Sequence, residues 1–311
     1  MRVVVAGGAG FIGATLCARL LDRGDEVVCV DNLITGSAAN VKALVDKEGF
    51  SFVEVDVCTG VPVDGPLDAV LNLACPASPA DFGPLALEIL DVGSRGVASL
   101  LDLARSHGAR FLQASTSEVY GEPLVHPQPE SYWGNVNPIG PRSVYDEAKR
   151  FGEALTMAYH REHGLEVRIA RIFNTYGPRM RAEDGRVVSN FVNQAIRGEP
   201  LTVYGHGDQT RSLCYVDDLV GGLLALLDST CTGPVNLGSD DERTMLEVAQ
   251  LVLELSGSTS GIVFTPRPVD DPTVRRPELT LAREQLGWQA AIPLSDGLAR
   301  TIEWFTSQTR R

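Results

Sequence analysis

Tyr145 and Lys149 stand four residues apart in Ser-Val-Tyr-Asp-Glu-Ala-Lys-Arg, a spacing that places both side chains one turn apart on one helix face. A phenol with an ordinary pKa of about 10 acts as a base near neutrality only where neighbouring positive charge, such as an ammonium, stabilises the phenolate. On its own such a pair is usually a solvated helix face. Its company singles it out. Gln113-Ala-Ser-Thr-Ser-Glu-Val-Tyr-Gly121 ends a β-rich run among hydroxyls and a carboxylate, so Ser115, Thr116, Ser117 and Glu118 are placed to polarise or protonate a bound molecule; the plainer role for Ser and Thr here is to cap a turn.

Both groups need a scaffold, and the N-terminal residues describe one. Val3–Ala6 runs into Gly7-Gly8-Ala9-Gly10-Phe11-Ile12-Gly13, where glycines permit a tight turn and the backbone of Gly7, Gly10, Phe11, Ile12 and Gly13 approaches a pyrophosphate at a helix N-terminus. The next β-rich run ends at Asp31-Asn32, where a carboxylate accepts hydrogen bonds from adenosine ribose and repels a 2′-phosphate, which favours NAD over NADP. Asp56 and Val57 follow the third run, where they can meet adenine.

Short β-rich runs at Val3–Ala6, Val27–Asp31, Ser51–Asp56, Ala69–Leu73, Phe111–Ser115 and Val167–Phe173 alternate with amphipathic stretches at Phe11–Arg23 and Ser94–His107. This pattern predicts an α/β fold, a Rossmann-type doubly wound parallel sheet, with a smaller mixed α/β lobe built from the Pro- and Gly-punctuated remainder. The expected division is a dinucleotide-binding domain over 1–173, to which 212–238 returns, and a substrate lobe formed by 174–211 and 239–311.

A chain of 311 residues that is 44% hydrophobic buries a core without disulfides or structural metal. Its net charge of −13 argues against nucleic acid and anionic membranes as partners. The six cysteines are scattered singly, so no metal site is expected. The apolar run at the N-terminus is too short for a signal peptide or a membrane span, and a cytoplasmic location is expected.

Gly7–Gly13, the Ser-Thr-Ser-Glu segment and Tyr145/Lys149 together resemble the extended short-chain dehydrogenase/reductase superfamily. Within it, Ser115–Arg150, Arg171–Met180, Asp184–Phe191, Gly198–Gly205 and Asp270-Asp-Pro272 with Arg275 resemble the UDP-glucuronate decarboxylase family, over nearly the whole chain. The resemblance implies bound NAD and a UDP-sugar substrate that is oxidised at C4, decarboxylated and reduced again. It implies that Tyr145 removes and returns the C4 hydroxyl proton, that Lys149 lowers the Tyr145 pKa and binds the nicotinamide ribose, and that Thr116 bonds the same sugar oxygen. Ser117 and Glu118 then lie near C5 and the carboxylate. Asn174, Arg211 and Arg275 are implied for the phosphates and ribose, Val203 and Tyr204 for the base, Arg179 for substrate binding, and a homodimer through the Tyr145 helix.

One stretch departs from the family pattern. Asp81-Phe-Gly-Pro84 and Asp91-Val-Gly-Ser-Arg-Gly96 replace the usual Tyr-Asn-Pro and Lys-Thr-Asn-x-x-Gly, so the usual basic and amide side chains near the sugar are missing unless Arg95 or a shifted residue takes their place. Nucleotide-sugar 4-epimerases, 4,6-dehydratases and a catalytically impaired NAD-binding homologue are the alternatives. Dehydratases carry an acidic Asp where Ser117 stands here.

Overall fold

The computed structural model describes residues 1–309. Its centre is a seven-stranded sheet in which every pairing is parallel. The first six strands are β1 (Arg2–Ala6), β2 (Glu26–Asp31), β3 (Phe50–Glu54), β4 (Ala69–Asn72), β5 (Arg110–Thr116) and β6 (Val167–Ile172). Each matches an expected run within two residues at either end. A seventh, Pro234–Leu237, pairs with β6; its short Pro-Val-Asn-Leu run carries no alternation by which the sequence could announce it. Helices cover both faces, so β1, β2 and β4 are buried almost end to end, which is why they read as Val-rich runs rather than alternating ones.

The order runs from the seventh strand through β6, β5, β4, β1 and β2 to β3. The chain winds one way from β1 to β3 and the other way from β4 onward, which opens a crevice at the C-terminal ends of β1 and β4. Helix α1, Phe11–Asp22, starts at that crevice and buries Leu16, Cys17 and Leu20 against the sheet. A long helix, Ser143–His163, packs along β5 and stops at Gly164 in the left-handed conformation.

The atypical stretch folds differently from its expected form. Instead of one helix from Ser94, a helix over Ala86–Asp91 passes through a π-helical turn, Val92–Gly96, into a helix over Val97–His107. Such turns re-aim a helix locally, and here the turn brings Gly93 against Ala148 of the long helix, where a Cβ would collide.

Beyond β6, strand Leu201–Tyr204 pairs with Ile262–Thr265, and Thr210–Ser212 pairs with Glu242–Thr244. Helices Val187–Arg197, Met245–Ser256 and Leu294–Thr309 pack behind them. One apolar cluster runs from Val3 and Leu16 through Tyr176 and Phe191 to Phe305, so the sheet and the smaller lobe share a core.

Candidate active site

At the crevice, the glycine loop meets the end of β4. Gly7 has φ 76°, and a Cβ there would lie 2.6 Å from the Leu73 carbonyl carbon; a Cβ on Gly13 would run into the Gly7 oxygen. Only glycine fits this loop, and the cradle it leaves at the start of α1 is open to a pyrophosphate. Gly7, Gly10 and Leu73 line two adjoining cavities, of about 330 and 120 Å³. The smaller is bordered by Asp31, Asn32, Asp56 and Val57, with Glu88 and Asp91 completing an acidic rim. Asp31 accepts hydrogen bonds from Ala9 N (3.0 Å) and Leu33 N (2.8 Å). Burial raises its pKa, and those two N–H groups oppose the rise. The residues present fit NAD and place carboxylates where a 2′-phosphate would have to go.

The larger cavity holds the reactive groups. Tyr145, Lys149 and Thr116 all line it. Tyr145 and Lys149 are buried on the inner stripe of the long helix, and the Lys149 ammonium stands 5.7 Å from the Tyr145 ring centroid while donating to Ala114 O at 2.9 Å. Burial raises the Tyr145 phenol above its ordinary value, and Cys75 and Glu118 add to this; the Thr116 hydroxyl and the Arg186 guanidinium pull it back. Thr116 also caps the turn Ser117–Tyr120 by accepting from Glu118 N at 3.3 Å, so both of its expected roles are compatible.

Glu118 lies inside a cage of cations. Arg142 donates to it at 2.6 Å and Arg275 approaches to 3.5 Å. Burial alone would raise its pKa, but the charges of Arg275 and Arg142, aided by Arg211, hold it down at about 2. Glu118 is therefore a fixed carboxylate, able to orient water or a substrate hydroxyl by accepting hydrogen bonds and unable to exchange a proton near neutrality.

Two residues expected to contact substrate do not line the cleft in this structure. Arg275 is fully buried, donating to Ser117 O at 2.8 Å and standing beside Glu118, with Nε and Nη2 left without a hydrogen-bond partner. Val203 is also fully buried; strand alternation turns its side chain into the core and leaves Thr202 and Tyr204 on the cleft. Asn174, Arg179 and Arg211 do line the cleft. Asn174 Oδ1 and Gln209 Oε1 are buried without a partner, which makes them acceptors in want of a donor. Arg211 is tied to Asp271 at 3.0 Å. Arg179 bonds Thr15 of α1 at 3.3 Å, on the cofactor side. Arg95 pairs with Asp91, is mostly exposed and does not line the cleft.

Several residues escaped the sequence reading. Arg142 precedes Tyr145 by one helical turn, and Glu153 follows Lys149 by four residues, so the spacing that marks Tyr145/Lys149 also marks them. Glu153 pairs with Arg171 through both oxygens and accepts from Ser115 Oγ at 2.5 Å, which ties the long helix to the end of β5. Asp146 is buried with one oxygen unpartnered; burial, reinforced by Glu118, raises its pKa to about 7. Phe82 and Arg186 reach the site from distant loops; both lie in segments the sequence comparison singles out, but nothing in those segments marks the two side chains themselves.

A sheet of this order, a glycine cradle and a Tyr/Lys pair at the crevice define a nucleotide-linked oxidoreductase fold, and residues 3–238 match the NAD dependent epimerase/dehydratase family, to which the chain belongs. Among curated relatives it is 51% identical over 308 residues to UDP-glucuronic acid decarboxylase 1 of Arabidopsis thaliana, covering 99% of this chain and 70% of that one. It is 48% identical over 307 residues to UDP-glucuronic acid decarboxylase 1 of Danio rerio, covering 99% and 73%. Among solved structures, UDP-glucose 4-epimerase of Thermotoga maritima, with UDP-glucose, superposes with a TM-score of 0.90 at 28% identity, covering 99% of this chain and 100% of that one. A mutant UDP-glucuronic acid 4-epimerase of Bacillus cereus, in complex with UDP-4-deoxy-4-fluoro-glucuronic acid and NAD, gives 0.89 at 26%, covering 99% and 100%. Among the described residues no helix is long and apolar enough to cross a membrane.

Proposed function

We propose that the chain is a UDP-glucuronate decarboxylase that forms UDP-xylose and CO2. The observation that carries this reading is the caged Glu118 beside Ser117, in a chain about half identical to enzymes named for this activity. A dehydratase needs an acid to expel the sugar hydroxyl; Ser117 has no useful acidity and Glu118 is locked as a carboxylate. Decarboxylation of a 4-keto acid needs no such acid, because the electron pair of the breaking C5–C6 bond is received by the C4 carbonyl.

Residues 1–173 with 212–238 form the cofactor domain in this reading, and 174–211 with 239–311 the nucleotide-sugar lobe. Gly7, Gly10, Phe11, Ile12 and Gly13 hold the pyrophosphate of NAD, Asp31 and Asn32 its adenosine ribose, Asp56 and Val57 the adenine side, and Lys149 the nicotinamide ribose. NAD supplies, when bound, an acceptor for the hydrogen and electron pair leaving C4 and later gives them back. Tyr145 takes the O4 proton during oxidation and returns it during reduction, with Thr116 bonded to the same oxygen. Arg186 favours the phenolate of Tyr145, and the positive charge of a bound oxidised nicotinamide would act in the same direction. Glu118 and Ser117 orient the water that reprotonates C5. Asn174, Arg211, Thr202 and Tyr204 take the uridine diphosphate end, and Arg179 adds charge toward the cofactor. Arg142 and Arg186, lining the same end of the cleft as Tyr145, supply positive charge for the substrate carboxylate in place of Arg95. A homodimer is supported by Leu87, Leu90 and Phe151, left exposed on helices flanking the site.

Incubating the protein with UDP-glucuronate and catalytic NAD, while trapping CO2 and identifying the sugar nucleotide by mass and NMR, tests this. UDP-xylose is expected; conversion to UDP-galacturonate without CO2 would make the chain an epimerase.

A further inference from the structure

Decarboxylation with return of the C4 hydrogen is redox-neutral overall, so reduced cofactor and 4-keto pentose have to stay together between loss of CO2 and reduction. Two loops are fastened to each other where that pair would sit. One, residues 78–82, follows β4 and lays Phe82 on the Tyr145 ring. The other, residues 181–186, precedes helix Val187–Arg197 and presents Arg186 to the same phenol. Both line the cleft.

The fastening has an inner and an outer part. Inside, Ser78 Oγ donates to the Asp184 carbonyl, both residues being buried, and Asp184 pairs with Arg186. Outside, Arg181 Nη2 donates to Asp81 Oδ2 at 2.5 Å, with the Asp81 side chain 13% exposed and that of Arg181 38% exposed. The outer pair, at the rim of the cleft, is the more exposed of the two fastenings, so it is the one for which water competes. Asp81 also opens the stretch in which this chain departs from its family's pattern.

We propose that Asp81 and Arg181 are positioning residues that latch the two loops and hold the cofactor and the keto intermediate in the cleft until reduction is complete. This rests on the decarboxylase reading for its substrate. The pair touches no reacting atom; it acts on how often the cleft opens. A partly exposed ion pair changes such an equilibrium by about fivefold, which sets the size of the effect.

The test uses Asp81→Asn, Arg181→Gln and the charge-swapped double variant Asp81→Arg with Arg181→Asp. NADH bound to each protein in the presence of UDP is displaced by excess NAD, and its release is followed by fluorescence. With UDP-glucuronate as substrate, the ratio of UDP-xylose to 4-keto pentose is measured by NMR. Each single variant is expected to release NADH up to about fivefold faster and to leak keto product with accumulating NADH, and the swapped pair to recover both. NADH release at the wild-type rate in the single variants overturns the latch. So does faster release that the swap fails to recover, because the loops rather than the pair would then be responsible. If wild-type protein leaves UDP-glucuronate unchanged, the decarboxylase reading falls, while the release rates still decide whether the latch exists.

Discussion

The ring of Phe82 lies stacked on that of Tyr145, with centroids 5.0 Å apart and planes inclined by 16°. Arg142 sits over the same Phe82 ring at 5.5 Å. Phe82 thus holds the proposed base and the cation that pins Glu118, although it belongs to a loop whose sequence departs from the family pattern. An aromatic pair of this kind contributes about 0.5–1.5 kcal/mol beyond its buried area. Phe82→Ala is therefore expected to lower kcat by about tenfold while leaving the dissociation constant of NAD nearly unchanged. Steady-state kinetics with cofactor titration separates the two.

Glu118 is the anion that two guanidiniums share, that of Arg275 fully buried and that of Arg142 at the cleft wall. Its lowered pKa means that its contribution to stability is present above its ordinary value of 4.5 and is lost as pH falls through that value toward about 2. Glu118→Gln leaves Arg275 and Arg142 without their charge partner, and breaking a buried pair in this way costs about 3–5 kcal/mol. Urea denaturation at neutral pH is expected to show that loss together with loss of turnover.

Asp146 has the opposite sign. Its carboxyl keeps a proton up to about pH 7, against an ordinary 3.8. Between those values the folded chain binds a proton that the unfolded chain has released, so stability falls as pH rises from 3.8 toward 7 and levels off above it. Asp146→Asn cannot ionise, and at about pH 8 it is expected to be more stable than wild type by on the order of 2–4 kcal/mol. The gap should close as pH is lowered toward about 4; denaturation midpoints across that range check it.

The tie between Ser115 and Glu153 sets the distance from Thr116 on β5 to Tyr145 on the long helix. Glu153→Ala removes the charge from Arg171 and the acceptor from Ser115, and is expected to reduce kcat by about tenfold or more with little change in the KM for UDP-glucuronate. Glu153→Gln, which keeps an acceptor for Ser115, should recover part of the rate, and paired kinetics of the two variants shows it.

Much of this was legible because it is local. Six strands declared themselves as β-rich runs bounded by turn residues, the cradle as glycines between a strand and a helix, and Tyr145/Lys149 as a four-residue spacing. What stayed hidden depends on the third dimension. That Arg275 is fully buried and donates to Ser117 O cannot be read from the sequence. Val203 and Tyr204 are neighbours in sequence, and strand alternation sends them to opposite sides. The π-helical turn at Val92–Gly96 follows from packing against Ala148, and the Asp81–Arg181 pair joins residues one hundred apart.

The fate of the hydrogen at C4 tests the proposed cycle most directly. UDP-glucuronate labelled with deuterium at C4 is converted by a single turnover on protein loaded with NAD, and the product is examined by NMR. Deuterium retained at C4 of UDP-xylose, with CO2 released, is the expected result. Release of CO2 with hydrogen at C4, or conversion with the carboxylate intact, would contradict oxidation and reduction at one site by one bound cofactor.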